Sequence, residues 1–246
     1  MWVQPVHGVL THDHEWAAST ARQGATIAHI ETVQAFSTDV TLCRDLASKP
    51  HLDALRALLL AERDTTPGLR VSQVGGWHSK PDLALRADPP IRSLIDLMVR
   101  QVDAQLKHRI AQQSLPIPRY RWAVEAWAVV LHSGGYHRLH DHSDSHFSTA
   151  FYVDAGNTTD AHSGTLTLVD PARGRRPILG LNLWPSDLDI RPENGLLVVF
   201  PGHVRHTVLP YTGDRPRICV AANMNVSILP PSDVAPHESG QPDPPA

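Results

Sequence analysis

From Tyr120 to Ile228 the chain carries no helical period. Short apolar runs stand there instead, at Tyr120–Leu131, Phe147–Val153, Gly164–Val169, Leu196–Phe200, His206–Leu209 and Arg217–Val226, with Gly, Pro, Asn and Asp between them. Runs of that length broken by turn residues pair as antiparallel strands. The region is therefore restricted to an all-β barrel or sandwich. The first run places Trp122, Val124, Ala126 and Ala128 on one face and Ala123, Glu125, Trp127 and Val129 on the other. Its second half is apolar on both faces, the pattern of a strand covered from both sides.

The sequence before Tyr120 reads differently. Leu52, Leu55, Leu58 and Leu59 have helical spacing between His51 and Glu62, and Pro67-Gly68 ends that helix. A longer amphipathic helix spans Pro90 to Gln112, with Ile91, Leu94, Ile95, Met98, Val102, Leu106 and Ile110 on one face. Pro89-Pro90 stands at its start, where proline is tolerated, and Pro116 lies beyond its end. Between the helices, Val71–Ser79 is strand-like but carries the pair Gly75-Gly76, a sign of close backbone approach. Met1–Val9 reads as an opening strand and residues 13–23 as a short helix. Residues 229–246 are rich in Pro, Ser, Asp and Gly and are expected to be disordered. The expected plan is one domain over 1–228: support elements in 1–119 and a β core in 120–228.

Composition limits the function classes. A chain of 246 residues, 41% of them hydrophobic, can bury one sizeable core. A net charge of −3 offers no basic face, so nucleic acid is not an expected partner. No apolar run reaches the ~18 residues of a membrane span, and the N-terminus lacks the basic and apolar regions of a secretory signal. Cys43 and Cys219 stand alone in apolar or mixed runs, as buried thiols of a cytoplasmic protein would. The sequence leaves an oligomer open.

The chemistry concentrates in Gly134-Gly135-Tyr136-His137-Arg138-Leu139-His140-Asp141-His142-Ser143-Asp144. The chain has sixteen His, so only spacing can single any of them out. On a strand, residues i and i+2 share a face ~7 Å apart, so His140 and His142 can aim at one point, with Asp144 one step further. Phe200-Pro201-Gly202-His203-Val204-Arg205-His206 brings a third imidazole from a later strand. Three ligands in a rigid frame with open positions make a mononuclear metal site. His140, His142 and His206 are the candidates. Asp144 is the alternative, since two His and one carboxylate mark non-haem iron(II) oxygenases. His137, His146, His162 and His203 read as bystanders. Arg217 opens an apolar strand, where a half-buried guanidinium calls for a carboxylate or phosphate.

These residues resemble a family. The chain is similar, from Val6 to Val226, to the 2-oxoglutarate- and iron(II)-dependent oxygenases, and within them to a bacterial group. The resemblance is carried by Ser72-Gln73-Val74-Gly75-Gly76-Trp77-His78-Ser79, Trp127, Gly134-Gly135-Tyr136, His140-Asp141-His142, Ser148 to Val153, Ser163-Gly164-Thr165-Leu166 with Asp170-Pro171, and Phe200-Pro201 to His206, Pro210-Tyr211 and Arg217-Ile218. It implies a double-stranded β-helix (jelly-roll, cupin-like) core buttressed by the N-terminal α-helices. It implies Fe(II), 2-oxoglutarate and O2 as cofactors, with release of succinate and CO2 and hydroxylation of a small molecule or an amino-acid or peptide substrate. In the wider superfamily a Gly precedes His-x-Asp by six residues, and six from Gly134 is His140. His142 then stands where the superfamily has Asp. The resemblance gives His140, His142 and His206 the metal, Arg217 the distal carboxylate of 2-oxoglutarate, and Tyr136 a place beside it. The bacterial group often has Asn at the positions of Val129 and Leu131, which face the barrel interior. Tyr136, Trp127, Trp77 and Trp184 are candidates for the substrate pocket. Two other classes fit three His: a zinc hydrolase or lyase, in which the open position activates water, and a non-catalytic cupin-like binder of small ligands.

Overall fold

The computed structural model describes residues 38–171 and 187–230, which belong to one compact unit. The expected strand at Met1–Val9, the helix at 13–23, Trp184 and the tail beyond Pro230 lie outside them.

Nine strands and two helices are described. They are β1 (Thr41–Cys43), α1 (Lys49–Thr65), β2 (Gln73–His78), α2 (Pro89–Gln112), β3 (Tyr120–His140), β4 (Phe147–Asp154), β5 (Leu166–Val169), β6 (Asp187–Ile190), β7 (Leu197–Pro201), β8 (His206–Val208) and β9 (Arg217–Ile228). The strand order is β1-β7-β4-β9-β3-β8-β5-β6, every pairing antiparallel, with β2 added beside β3. β3 joins the two halves of this curled sheet. Its first part pairs with β9 from Tyr120↔Ile228 to Leu131↔Arg217, and its second part pairs with β8 at His137↔Val208 and His140↔His206. The fold is a jelly roll, mainly β, with two flanking helices.

Alternation along β3 separates two cores. Ala126, Ala128 and Val130 face outward and pack with Leu55 and Leu59 of α1 and with Ile91, Leu94, Met98 and Val102 of α2. Trp127, Val129 and Leu131 face the barrel interior with Tyr152, Leu166, Val198, Phe200 and Cys219. Leu55, Leu59 and Met98 are fully buried, each contributing about 1.5–3 kcal/mol of transfer free energy. The helices thus cover one outer face of the sheet, and the interior is left to a chamber. Asp103 on α2 also accepts hydrogen bonds from Tyr120 Oη at 2.6 Å and Trp122 Nε1 at 3.1 Å, tying α2 to the start of β3.

The two glycine pairs turn out to be one device. β2 crosses β3 where a Cβ at Gly135 would lie 2.7 Å from the Gly75 carbonyl oxygen, and one at Gly75 would lie 3.2 Å from Gly135 Cα. Gly75 and Gly134 have φ of 69° and 83°, a region favouring glycine. β3 therefore continues as a strand to His140, beyond its expected end at Leu131.

Candidate metal centre and co-substrate chamber

The candidate ligand set is assembled from two strands and a turn. His140 closes β3, His206 opens β8 directly across from it, and His142 lies two residues on, in the turn toward β4. The candidate ligand atoms of His140, His142 and His206 all lie within 4.8 Å of one another. Ring centroids are 4.2 Å apart for His140–His206, 5.1 Å for His140–His142 and 5.2 Å for His142–His206. His140 Nδ1 lies 2.7 Å from the Arg138 carbonyl and His206 Nδ1 lies 3.0 Å from the Val204 carbonyl. A carbonyl only accepts, so each Nδ1 carries the proton and each Nε2 keeps its lone pair for a ligand.

Burial keeps these rings neutral. It lowers His206 to about 3 and His142 to about 4, each further depressed by His140, and it lowers His140 as well. A neutral imidazole is the form that binds a metal. Asp144 is exposed on the turn and is not part of the cluster; strand alternation stops at His140, so it does not continue the face. Asp141 is also exposed, its carboxylate accepting from Ser143 Oγ at 2.6 Å.

The three rings border a cavity of about 90 Å³, well above the ~10–15 Å³ one water needs. It therefore has room for more than a single water. Arg217 lies in its wall, 1% exposed, with Cζ 4.9 Å above the Tyr152 ring. Gly164 makes room for it: a Cβ there would come within 3.1 Å of Arg217 Cδ. Among the described residues, Arg217 Nε and Tyr152 Oη have no hydrogen-bond partner, although both are buried. Two buried donors without partners are costly unless a ligand satisfies them. Burial raises the Tyr152 phenol, which stays an O–H donor. A dianion with one end at the imidazoles and a carboxylate at Arg217 fits this donor set. Cys219 lines the same wall as a free thiol, pushed up to about 11 by burial.

Trp127 lines the chamber between His78 and His142, at centroid distances of 5.8 and 5.7 Å. Val129 lines it as well. Trp77 packs in the helix-facing core and donates to the Thr66 carbonyl at 3.0 Å. Tyr136 is not among the lining residues; it precedes His137 on β3 and so lies on the opposite face. His137 lines the chamber, contrary to the bystander reading. A register irregularity between His137 and His140 lets two residues of opposite parity face one way. Nothing in the sequence marked that bulge. His146, His162 and His203 are exposed and outside the cluster. His78, Tyr152 and the pair Ser148–Asn223, joined at 2.9 Å, also line the chamber, and none of them has a site role on sequence grounds.

Residues 125–223, which contain the three His and Arg217, match the model of the family described as "Putative 2OG-Fe(II) oxygenase". Over this stretch the chain is similar to the 2-oxoglutarate- and iron(II)-dependent oxygenases, enzymes of the non-haem iron class that use Fe(II), 2-oxoglutarate and O2, in agreement with the resemblance read from the sequence. No curated protein matches the chain. Among solved structures it is similar to a Pseudomonas putida prolyl-4-hydroxylase, with TM-score 0.53 and 17% identity over 77% of this chain and 93% of the other. It is similar to HygX from Streptomyces hygroscopicus with nickel and 2-oxoglutarate bound, with TM-score 0.54 and 14% identity over 76% and 83%. A Trichoplax adhaerens prolyl hydroxylase in complex with a peptide fragment gives TM-score 0.53 and 11% identity over 76% and 83%. At such identities the likeness is one of fold. No described helix is long and apolar enough to cross a membrane.

Proposed function

We propose that this chain hydroxylates an unactivated C–H bond of a small molecule or of an amino-acid or peptide substrate, converting 2-oxoglutarate to succinate and CO2. His140, His142 and His206 hold Fe(II), and Arg217 holds the distal carboxylate of 2-oxoglutarate. Tyr152, and not Tyr136, is the aromatic hydroxyl beside that carboxylate. One observation carries the reading: three neutral imidazoles border the same chamber as the buried Arg217 Nε and Tyr152 Oη, which lack hydrogen-bond partners among the described residues. Bound iron with 2-oxoglutarate and O2 supplies the oxidising power. The chain's own residues fix positions and exclude water: the backbone carbonyls of Arg138 and Val204 aim the imidazoles, and Trp127, Val129 and Phe200 line the space with apolar surface. A zinc hydrolase would leave Arg217 and Tyr152 without a task. Free Cys43 and Cys219 support a cytoplasmic setting.

The test is succinate formation from 2-oxoglutarate with Fe(II) under air, first without substrate and then across a panel of amino acids, peptides and metabolites. His206→Ala is expected to abolish turnover. Undiminished succinate from that variant would remove the site.

A further inference from the structure

His142 is a neutral ligand where a carboxylate is the usual third partner of a mononuclear iron(II) site, and among the described residues no acid lines the chamber in its place; Asp141 and Asp144 act on the rings only from the exposed turn. The residues lining the chamber include no Asp or Glu. The closest acids in sequence, Asp141 and Asp144, are exposed on the turn, and the Asp141 carboxylate is engaged by Ser143. Among the described residues, the one fixed charge in the wall is the cation Arg217.

We infer that the all-imidazole triad makes metal retention depend on 2-oxoglutarate, so that metal loading of this protein follows the supply of its dianionic co-substrate. The inference rests on the reading above, in which the His cluster holds the metal. With three neutral ligands the metal keeps its full +2, and Arg217 adds +1 in the same poorly solvated chamber. Such uncompensated charge opposes metal binding on its own. A chelating dianion brings the total from +3 to +1. With a carboxylate at position 142 the same total runs from +2 to 0. The bare site is then already partly neutralised, and the dianion meets a metal centre of +1 instead of +2. Coulomb attraction scales with that charge, so the dianion couples more strongly to the metal in the native triad. Coupling is reciprocal: the metal tightens 2-oxoglutarate by the factor by which 2-oxoglutarate tightens the metal.

Calorimetric titration of Mn(II), a redox-stable stand-in, into metal-free protein with and without saturating 2-oxoglutarate reads this directly and needs no turnover. For the native chain, 2-oxoglutarate is expected to tighten Mn(II) roughly 100-fold, near the upper end of usual coupling factors. His142→Asp is expected to bind Mn(II) alone more tightly than the native chain and to show a coupling factor of about 10. His142→Asn, neutral but a poorer ligand, should bind Mn(II) more weakly and keep the larger coupling. Circular dichroism checks folding, and His142→Glu carries the same charge test should the aspartate variant not fold. Equal coupling in the native and carboxylate variants overturns the inference. So does native Mn(II) binding that ignores 2-oxoglutarate while His206→Ala abolishes it, a result that leaves the metal site standing. Mn(II) affinity unchanged in His206→Ala removes the site itself, and the inference with it.

Discussion

His206 shows what one residue contributes to this site. It is 6% exposed, its Nδ1–H is held by the Val204 carbonyl, and burial sets its folded value near 3 against an ordinary 6.5. Between those values the unfolded chain binds a proton that the metal-free folded protein refuses. Stability is therefore complete above pH 6.5 and falls as the pH drops toward 3. For His206 alone the slope is about 1.4 kcal/mol per pH unit. His142, near 4, and His137, near 3, act in the same direction. The urea midpoint of metal-free protein is expected to fall steadily from pH 7 to 5, above the range where carboxylates titrate. A flat profile over that interval would mean that the rings are solvated.

β3 is the element on which the molecule turns, and its two halves were unequally legible. Tyr120–Leu131 announces itself by alternation because both of its faces meet apolar partners: Ala126, Ala128 and Val130 the helices, and Trp127, Val129 and Leu131 the interior. His132–His140 shows no such pattern, because two glycines and a run of polar residues look like a loop when the partners β2 and β8 are unknown. β1 and β6 span three and four residues, too few for periodicity to register. The helices were readable from the spacing of their apolar residues and the prolines that flank them. The site was partly readable: His-x-His and the later His mark the cluster, whereas His137 and Tyr152 enter through a bulge and a wall position that only pairing reveals. The helix-facing core is separate from the chamber, which gives an element-scale prediction. Met98→Ala on α2, a fully buried position, is expected to cost about 2–5 kcal/mol in urea unfolding while leaving Mn(II) affinity in the presence of 2-oxoglutarate unchanged. A parallel loss of affinity would show that the two cores are coupled.

At the scale of the whole molecule, the site belongs to the folded state alone. Its residues come from β3, the turn after it, β4, β8 and β9, and strand pairing brings them together. Metal and co-substrate therefore act as stabilisers by mass action. At a free Mn(II) concentration 100 times the dissociation constant, with 2-oxoglutarate present, the gain is about 2.7 kcal/mol. For a domain of this size that corresponds to a rise in Tm of roughly 5–10 °C. Differential scanning fluorimetry with each ligand alone and with both reads the effect. No shift with both present would argue against a preassembled site.

The carbonyls of Arg138 and Val204, which fix the tautomers of His140 and His206, carry an evolutionary consequence. Many metal-binding imidazoles are aimed by a second side chain, and a single substitution there can misdirect them. In this protein each ring is aimed by the main chain two residues earlier on the same stretch, and a peptide oxygen survives any replacement of the residue that bears it. Position 138, whose side chain is exposed, is thus free to drift without disturbing the aim of His140, whereas Val204 is buried in the interior core and is held to apolar replacements of similar size. A designer wishing to transplant this centre would need to copy a backbone path and three histidines, and no supporting cast of acids.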